Sequence, residues 1–298
     1  MVEEFPLVCP PATAGLGGIP PLQDTHCHLH DDSEPLPGGA PAPMPVLPKG
    51  VQGACLMAVS PADWDVVQRT CHGRPRLRPF FGIHPWHAHR APPGWQARLV
   101  DLLRRHPSAG LGEAGLDYAA RTSETGRCER EDQLRVFRDQ LRIAYELSRP
   151  ISVHCVRAHG ALFDILRELG EAVPPALALH SYSGSPEMAS ALLRLPSPGG
   201  PWMFFGFSMG VNARRPVKAL PAVVSCIPQG HLLLESDWHG PAGLHEQLVA
   251  MCEALADIRG VPSAIMARQC NANAARWLAA IIGAGEGMSC VDEELVAT

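Results

Sequence analysis

The chain has 298 residues, 46% hydrophobic and 18% charged, with a formal net charge of −5. That length suits one large α/β domain or two small ones with a sizeable core. The acidic balance argues against a broad basic surface that grips nucleic acid by its phosphates, but not against a small anionic substrate held through bound metal ions.

No run of 18 or more apolar residues is long enough to span a membrane. Glu3 and Glu4 stand where a secretory signal would carry basic residues, so no such signal is expected. The ten cysteines are scattered without a CxxC pair, which suits reduced thiols in a cytoplasmic or nuclear compartment. Lys49 and Lys218 are the only lysines; the arginine bias reads as genomic composition.

Residues 1–20 are rich in Pro and Gly and read as an N-terminal arm. From Leu22 onward short apolar runs alternate with helical stretches. The strand-like runs are Leu22–His26, Val51–Val59, Pro79–Ile83, Ala109–Glu113, Ile151–His154, Ala176–His180, Trp202–Phe207 and His231–Glu235. The clearest helix is Arg130–Ser148, where Leu134, Phe137, Leu141, Ala144 and Tyr145 share one face at helical spacing. Successive strand ends lie one βα unit apart. Eight such units point to an α/β fold, a closed TIM-type (βα)8 barrel, spanning 21–282. An open doubly wound sheet is disfavoured, since no Gly-rich phosphate turn follows the first strand. The insertion Glu34–Lys49 would rise from the C-terminal rim as a lid or as a passive loop. Pro196–Pro201 belongs to the opposite face, and 283–298 reads as a loose tail.

The strands end in chemistry. In Asp24-Thr25-His26-Cys27-His28, residues two apart share a face, so His26 and His28 converge. His84 ends the third strand, Glu113 the fourth, His154 the fifth and His180 the sixth, and Asp237 follows the eighth. Such a ring of imidazole and carboxylate at one barrel end suits divalent metal. Four histidines (His26, His28, His154, His180) and two carboxylates exceed what one ion needs, which suggests two ions with Glu113 as their bridge. No lysine ends a strand to take that role. Imidazole-rich ligands suit Zn²⁺, Mn²⁺ or Co²⁺, whereas phosphoryl transfer commonly uses Mg²⁺.

At this point the chain resembles the TatD-type metal-dependent hydrolases, the TatD deoxyribonuclease family of the amidohydrolase-like superfamily. The matching segments are DTHCHLH, GIHPWH, GEAGLDY at 112–118, QLRVFRDQLRIAYELSRPISVHC, HSYSG at 180–184 and LLLESD at 232–237. The resemblance implies a binuclear barrel that hydrolyses phosphodiesters as a deoxyribonuclease of the 3′–5′ exonuclease type. One ion would take His26, His28, Glu113 and Asp237; the other would take Glu113, His154 and His180. Three departures affect the rim: Arg157 stands one position late, ESDWH replaces a proline with His239, and 34–49 is long.

A consistent mechanism is in-line attack by a metal-activated water, with Asp237 and Glu113 in the catalytic apparatus. His84, Arg157 and His239 are the expected substrate contacts, on a nucleic acid end or a small phosphodiester. Asp117 is read as an orienting carboxylate or a loop cap. Cys27 and Cys155 should point into the barrel wall, and His30, His87 and His89 should sit at the rim. Trp86 and Trp238 could stack on a base. Two alternatives stay open: hydrolysis of an amide, ester or lactone on the same barrel, and a barrel retained as a binding scaffold.

Overall fold

A computed structural model of the chain describes residues 18–30, 45–196, 202–213 and 219–279. The expectations for the arm at 1–20, the insertion at 34–49, the 196–201 segment and the tail at 283–298 therefore lie wholly or mainly outside the described residues.

Eight strands form one parallel sheet in sequential order. They are β1 (Leu22–Cys27), β2 (Val51–Met57), β3 (Leu77–Phe81), β4 (Gly110–Asp117), β5 (Ile151–Val156), β6 (Leu177–Leu179), β7 (Met203–Phe207) and β8 (Leu232–Leu234). From β2 onward helices follow each strand: α1 (Trp64–Cys71), α2 (Trp95–Arg105), α3 (Arg130–Glu146), α4 (His159–Leu169), α5 (Pro186–Leu193), α6 (Met209–Asn212), α7 (Ala219–Cys226), α8 (Leu244–Arg259) and α9 (Ser263–Ala279). Each strand pairs with the next. The seam between β1 and β8 is closed otherwise. The Thr25 hydroxyl donates to Leu234 O, Asp237 N to His26 O and His28 N to Trp238 O. The expected (βα)8 barrel is therefore nearly closed, and its last stitch lies at the rim that carries the histidines.

The core has two layers, as strand alternation requires. Apolar side chains from the strands and their helices fill the space between barrel and helix ring. A smaller cluster inside the barrel contains Cys55, Met57, Phe80, Ala178, Phe204 and Leu233, with Trp277 of α9 stacked on Phe80 at 5.0 Å. The interior is thus packed from below, which leaves the C-terminal end of the strands for polar groups.

Helix α3 shows how local sequence fixes that end. Phe137, Leu141 and Ala144 are buried as expected, but Tyr145 is exposed, because the packed stripe turns toward Gln133, Val136 and Gln140 instead. The Gln140 amide receives Ile83 N at 2.7 Å and donates to Ile83 O at 3.0 Å. Gln133 does the same for the backbone of Asp117, at 2.8 and 3.0 Å. Two glutamines in a buried helix face thereby pin the backbone beside His84 and Asp117.

Candidate metal centre

The donor set is organised by Glu113, buried to 3% exposure on β4. Its two carboxylate oxygens face different partners. Oε2 lies 3.4 Å from His26 Nε2 and 3.5 Å from His28 Nε2. Those two nitrogens each lie 3.8 Å from Asp237 Oδ1. Oε1 lies 2.9 Å from His154 Nδ1, 2.8 Å from His180 Nε2 and 3.3 Å from His84 Nε2. The structure thus brings together all six expected ligands, His26, His28, Glu113, His154, His180 and Asp237, with His84 beside them.

These spacings suit a metal better than a hydrogen-bond network. Donors about 2.1 Å from one ion, at tetrahedral or octahedral angles, lie roughly 3.0–3.5 Å from each other. His154 Nδ1 and His180 Nε2 approach to 2.9 Å while both face the same carboxylate oxygen. His26 Nε2 is buried without a hydrogen-bond partner. Triads that could hold an ion form around His26, His28 and Asp237, around His26, His180 and Glu235, and around His84, Glu113 and His154.

Three of the four imidazoles meet a polar group at the outer nitrogen. His28 Nδ1 lies 3.1 Å from Met57 O. A carbonyl only accepts, so Nδ1 carries the proton and the Nε2 lone pair faces the centre. His26 Nδ1 meets Ser152 Oγ at 3.0 Å, and His154 Nε2 faces Asp117 Oδ2 at 3.5 Å. Asp117 fills both roles considered for it. Its Oδ1 accepts from Ala119 N and Ala120 N, capping the loop, while its Oδ2 faces His154 and receives Trp86 Nε1 at 2.7 Å.

The charges favour cations. Burial works against the Glu113 anion, but the facing His180, His84 and His26 hold its carboxyl well below the usual range. Burial likewise opposes charge on His180, yet Glu113 pulls that imidazole well above its ordinary value. His84 goes the other way: desolvation lowers it to about 4, leaving its ring neutral.

Sequence reasoning passed over several buried residues here. Glu235, at 1% exposure, accepts from Ser181 N and Ser181 Oγ and lies 3.8 Å from His180 Nδ1. A charged residue ending the apolar run LLLE was the available signal. Asp24 accepts from His26 N, Ser236 N and the Ser236 hydroxyl, tying the HxH strand end to the segment that bears Asp237. Ser152 gave no signal of its own. Ser181 and Asp237 adopt left-handed backbone, φ 41° and 52°, just past β6 and β8; strain of this kind gathers at functional sites.

The expected rim residues differ in burial. His30 is buried at 4% exposure, 3.5 Å from Asp63. His239 is exposed and stacks on His28 with centroids 5.0 Å apart. Arg157 is exposed just past β5 with φ 52°. His87 and His89 are half-buried in the 3₁₀ turn Pro85–Arg90. Cys27 and Cys155 are buried, Cys27 donating to Cys55 O. All eight cysteines among the described residues are free.

Known proteins resemble this chain in sequence and in fold. The family model for TatD related DNase matches residues 23–279. The Cut9-interacting protein scn1 of Schizosaccharomyces pombe is 25% identical over 307 residues, covering 75% of this chain and 88% of that protein. A 3′-5′ ssDNA/RNA exonuclease TatD of Erwinia billingiae is 30% identical over 210 residues, covering 65% and 74%. In fold, the crystal structure of YJJV, a TatD homologue from Escherichia coli K12, superposes with a TM-score of 0.68 at 22% identity, covering 86% of this chain and 97% of that one.

Proposed function

From the premise that this chain belongs to the TatD related DNase family, we propose that it is a divalent-metal-dependent phosphodiester hydrolase, a deoxyribonuclease of the 3′–5′ exonuclease type. The observation that carries the reading is the division of Glu113, one oxygen toward His26 and His28 and the other toward His154 and His180. That division fits two ions, Mg²⁺, Mn²⁺ or Zn²⁺. His26, His28, Glu113 and Asp237 would hold one, and Glu113, His154 and His180 the other.

Bound divalent ions supply Lewis acidity for a phosphoryl oxygen and lower the pKa of water. The chain supplies the rest. Met57 O fixes the His28 tautomer, and Asp117 and Ser152 orient His154 and His26. Asp237 is the more open of the two acidic donors, its side chain 19% exposed against 4% for Glu113. It is therefore the group placed to take a proton from an attacking water. Arg157 and His239, exposed beyond β5 and β8, and His84 in the donor ring are the proposed substrate contacts. The barrel at 21–282 is the catalytic unit, with 1–20 and 283–298 as arm and tail, acting in the cytoplasm or nucleus on nucleic acid ends or small phosphodiesters. Among the described residues no helix is long and apolar enough to cross a membrane.

One observation keeps a second reading in view. His239 stands on His28 where the family motif has a proline, so the rim meets its substrate differently, and an amide, ester or lactone is the alternative. The test is a panel of single-stranded DNA, a simple phosphodiester, an anilide and a lactone, each with EDTA-stripped and Mn²⁺-loaded protein. Metal-dependent cleavage confined to the phosphodiesters supports the proposal. Cleavage of the anilide or lactone alone transfers the assignment to the second reading.

A further inference from the structure

Beside the metal centre lies a cavity of about 390 Å³ that the reading above leaves without a role. It opens between the 3₁₀ turn Pro85–Arg90 and the loop Ala120–Glu124 that follows β4, and its volume falls in the range of small-ligand clefts, roughly 300–1,000 Å³. Trp86 is the wall nearest the centre. Its side chain is 55% exposed, the largest aromatic surface that the described residues leave to solvent.

That exposure is not looseness. The indole Nε1 donates to Asp117 Oδ2 at 2.7 Å, and the ring meets His84 edge-on with centroids 4.8 Å apart. Asp117 Oδ2 in turn faces His154 at 3.5 Å. A stiff aromatic plate thus touches His84 directly and stands one side chain away from His154. An aromatic surface kept open yet locked in orientation offers contact area with little ordering cost on binding.

The charges of the cavity say what belongs there. Arg90 and Arg121 line it, but so do Glu124 and Glu129, and Arg90 Nη1 is already 3.0 Å from Glu124 Oε1. His89 Nε2 lies 3.5 Å from the same side chain's carboxylate. The cations are balanced, so the cavity does not suit a bare phosphate. A neutral planar heterocycle with hydrogen-bonding edges fits the aromatic wall and the polar lining.

We infer that this cavity is a base pocket, in which Trp86 stacks the nucleobase of a nucleotide neighbouring the scissile phosphodiester. The inference rests on the phosphodiester reading of the metal centre. Base–aromatic stacking contributes about 1–3 kcal/mol, so loss of the plate weakens kcat/KM by at least roughly fivefold. The stack is indifferent to base identity, because every base has a π-face.

The test uses the full chain loaded with Mn²⁺ and four thymidine trinucleotides, one intact and three with a single abasic residue at one position. Trp86→Ala and Trp86→Phe are compared with wild type after circular dichroism confirms their folds. Wild type is expected to lose fivefold or more in kcat/KM when one particular base is missing. Trp86→Ala loses as much on the intact trinucleotide and little further on that abasic one, while Trp86→Phe retains most of the rate. If Trp86 only steadied Asp117, both substitutions would slow all four substrates alike, and that result would overturn the base pocket. A Trp86→Ala variant within twofold of wild type on the intact trinucleotide would overturn it as well. Failure of wild type to cleave any of the four, with metal bound, would bring down the phosphodiester reading itself and the pocket with it.

Discussion

Replacing Glu113 by Gln separates a shared bridge from two independent sites. The substitution keeps the side-chain volume and removes the charge from the one group that faces both halves of the donor ring. A site filled at one hundred times its Kd stabilises the folded state by about 2.7 kcal/mol. With an unfolding entropy of about 0.5 kcal/mol/K for a barrel of this size, each ion raises Tm by about 5 °C. Stripped wild type titrated with Mn²⁺ in a thermal-shift assay should therefore gain about 10 °C. Glu113→Gln should lose nearly all of it, since the amide presents one weak oxygen where the carboxylate presented two. Asp237→Asn and His180→Asn should each keep about half, because each touches only one oxygen's side of the bridge. A full Mn²⁺ shift in Glu113→Gln would refute the bridging role.

Four further outcomes follow from the packing. Asp24→Ala removes the acceptor for three buried donors at the β1–β8 seam and should cost about 3 kcal/mol or more in urea unfolding; a loss under 1 kcal/mol would show that the seam does not need it. Asp24→Asn keeps the shape, and here the sign depends on pH. Burial pushes the Asp24 carboxyl from 3.8 up to about 7, so between those values the folded state holds a proton that the unfolded state releases. The stability that Asp24 contributes in the stripped protein should then fall as pH rises from about 4 to 7, so the Asp24→Asn variant should gain up to about 4 kcal/mol on wild type across that range. Identical pH profiles for the two proteins would contradict this. Gln140→Ala cuts both bonds to the Ile83 backbone and should cost about 2 kcal/mol while lowering kcat through His84; unchanged turnover would leave Gln140 a purely structural peg. At Gly115, φ is 146° and an added Cβ would meet His154 O at 1.9 Å, so Gly115→Ala should yield little folded protein, checked by soluble expression.

The barrel was legible because its signals are local. Eight apolar runs at βα spacing could hardly be assembled otherwise, and most ended in a residue that the structure places at the rim. The convergence of the six expected ligands was legible for the same reason, since a strand end places the side chains at and just past it at the rim. What stayed hidden depends on contacts between distant segments. Asp24 reads as an ordinary acid until β8 brings Ser236 against it. Glu235 reads as one more carboxylate until Ser181 and His180 arrive from β6. Gln133 and Gln140 look misplaced on an apolar face, and only the neighbouring loops reveal what they hold. Tyr145 was misjudged because helical spacing gives the direction of a stripe but not its width, and two buried glutamines shifted it. The burial of His30 depends on Asp63, which arrives from the turn before α1.

The central claim is that the divided carboxylate of Glu113 supports hydrolysis of a nucleic acid end. Single-turnover cleavage of 5′-labelled single-stranded DNA, by wild type and Glu113→Gln with and without Mn²⁺, tests it most directly. Wild type with metal should give a ladder that shortens one nucleotide at a time from the 3′ end, with no ladder in EDTA or in Glu113→Gln. Folded, metal-loaded wild type that leaves the DNA intact, or a Glu113→Gln protein that cleaves it at the wild-type rate, would contradict it.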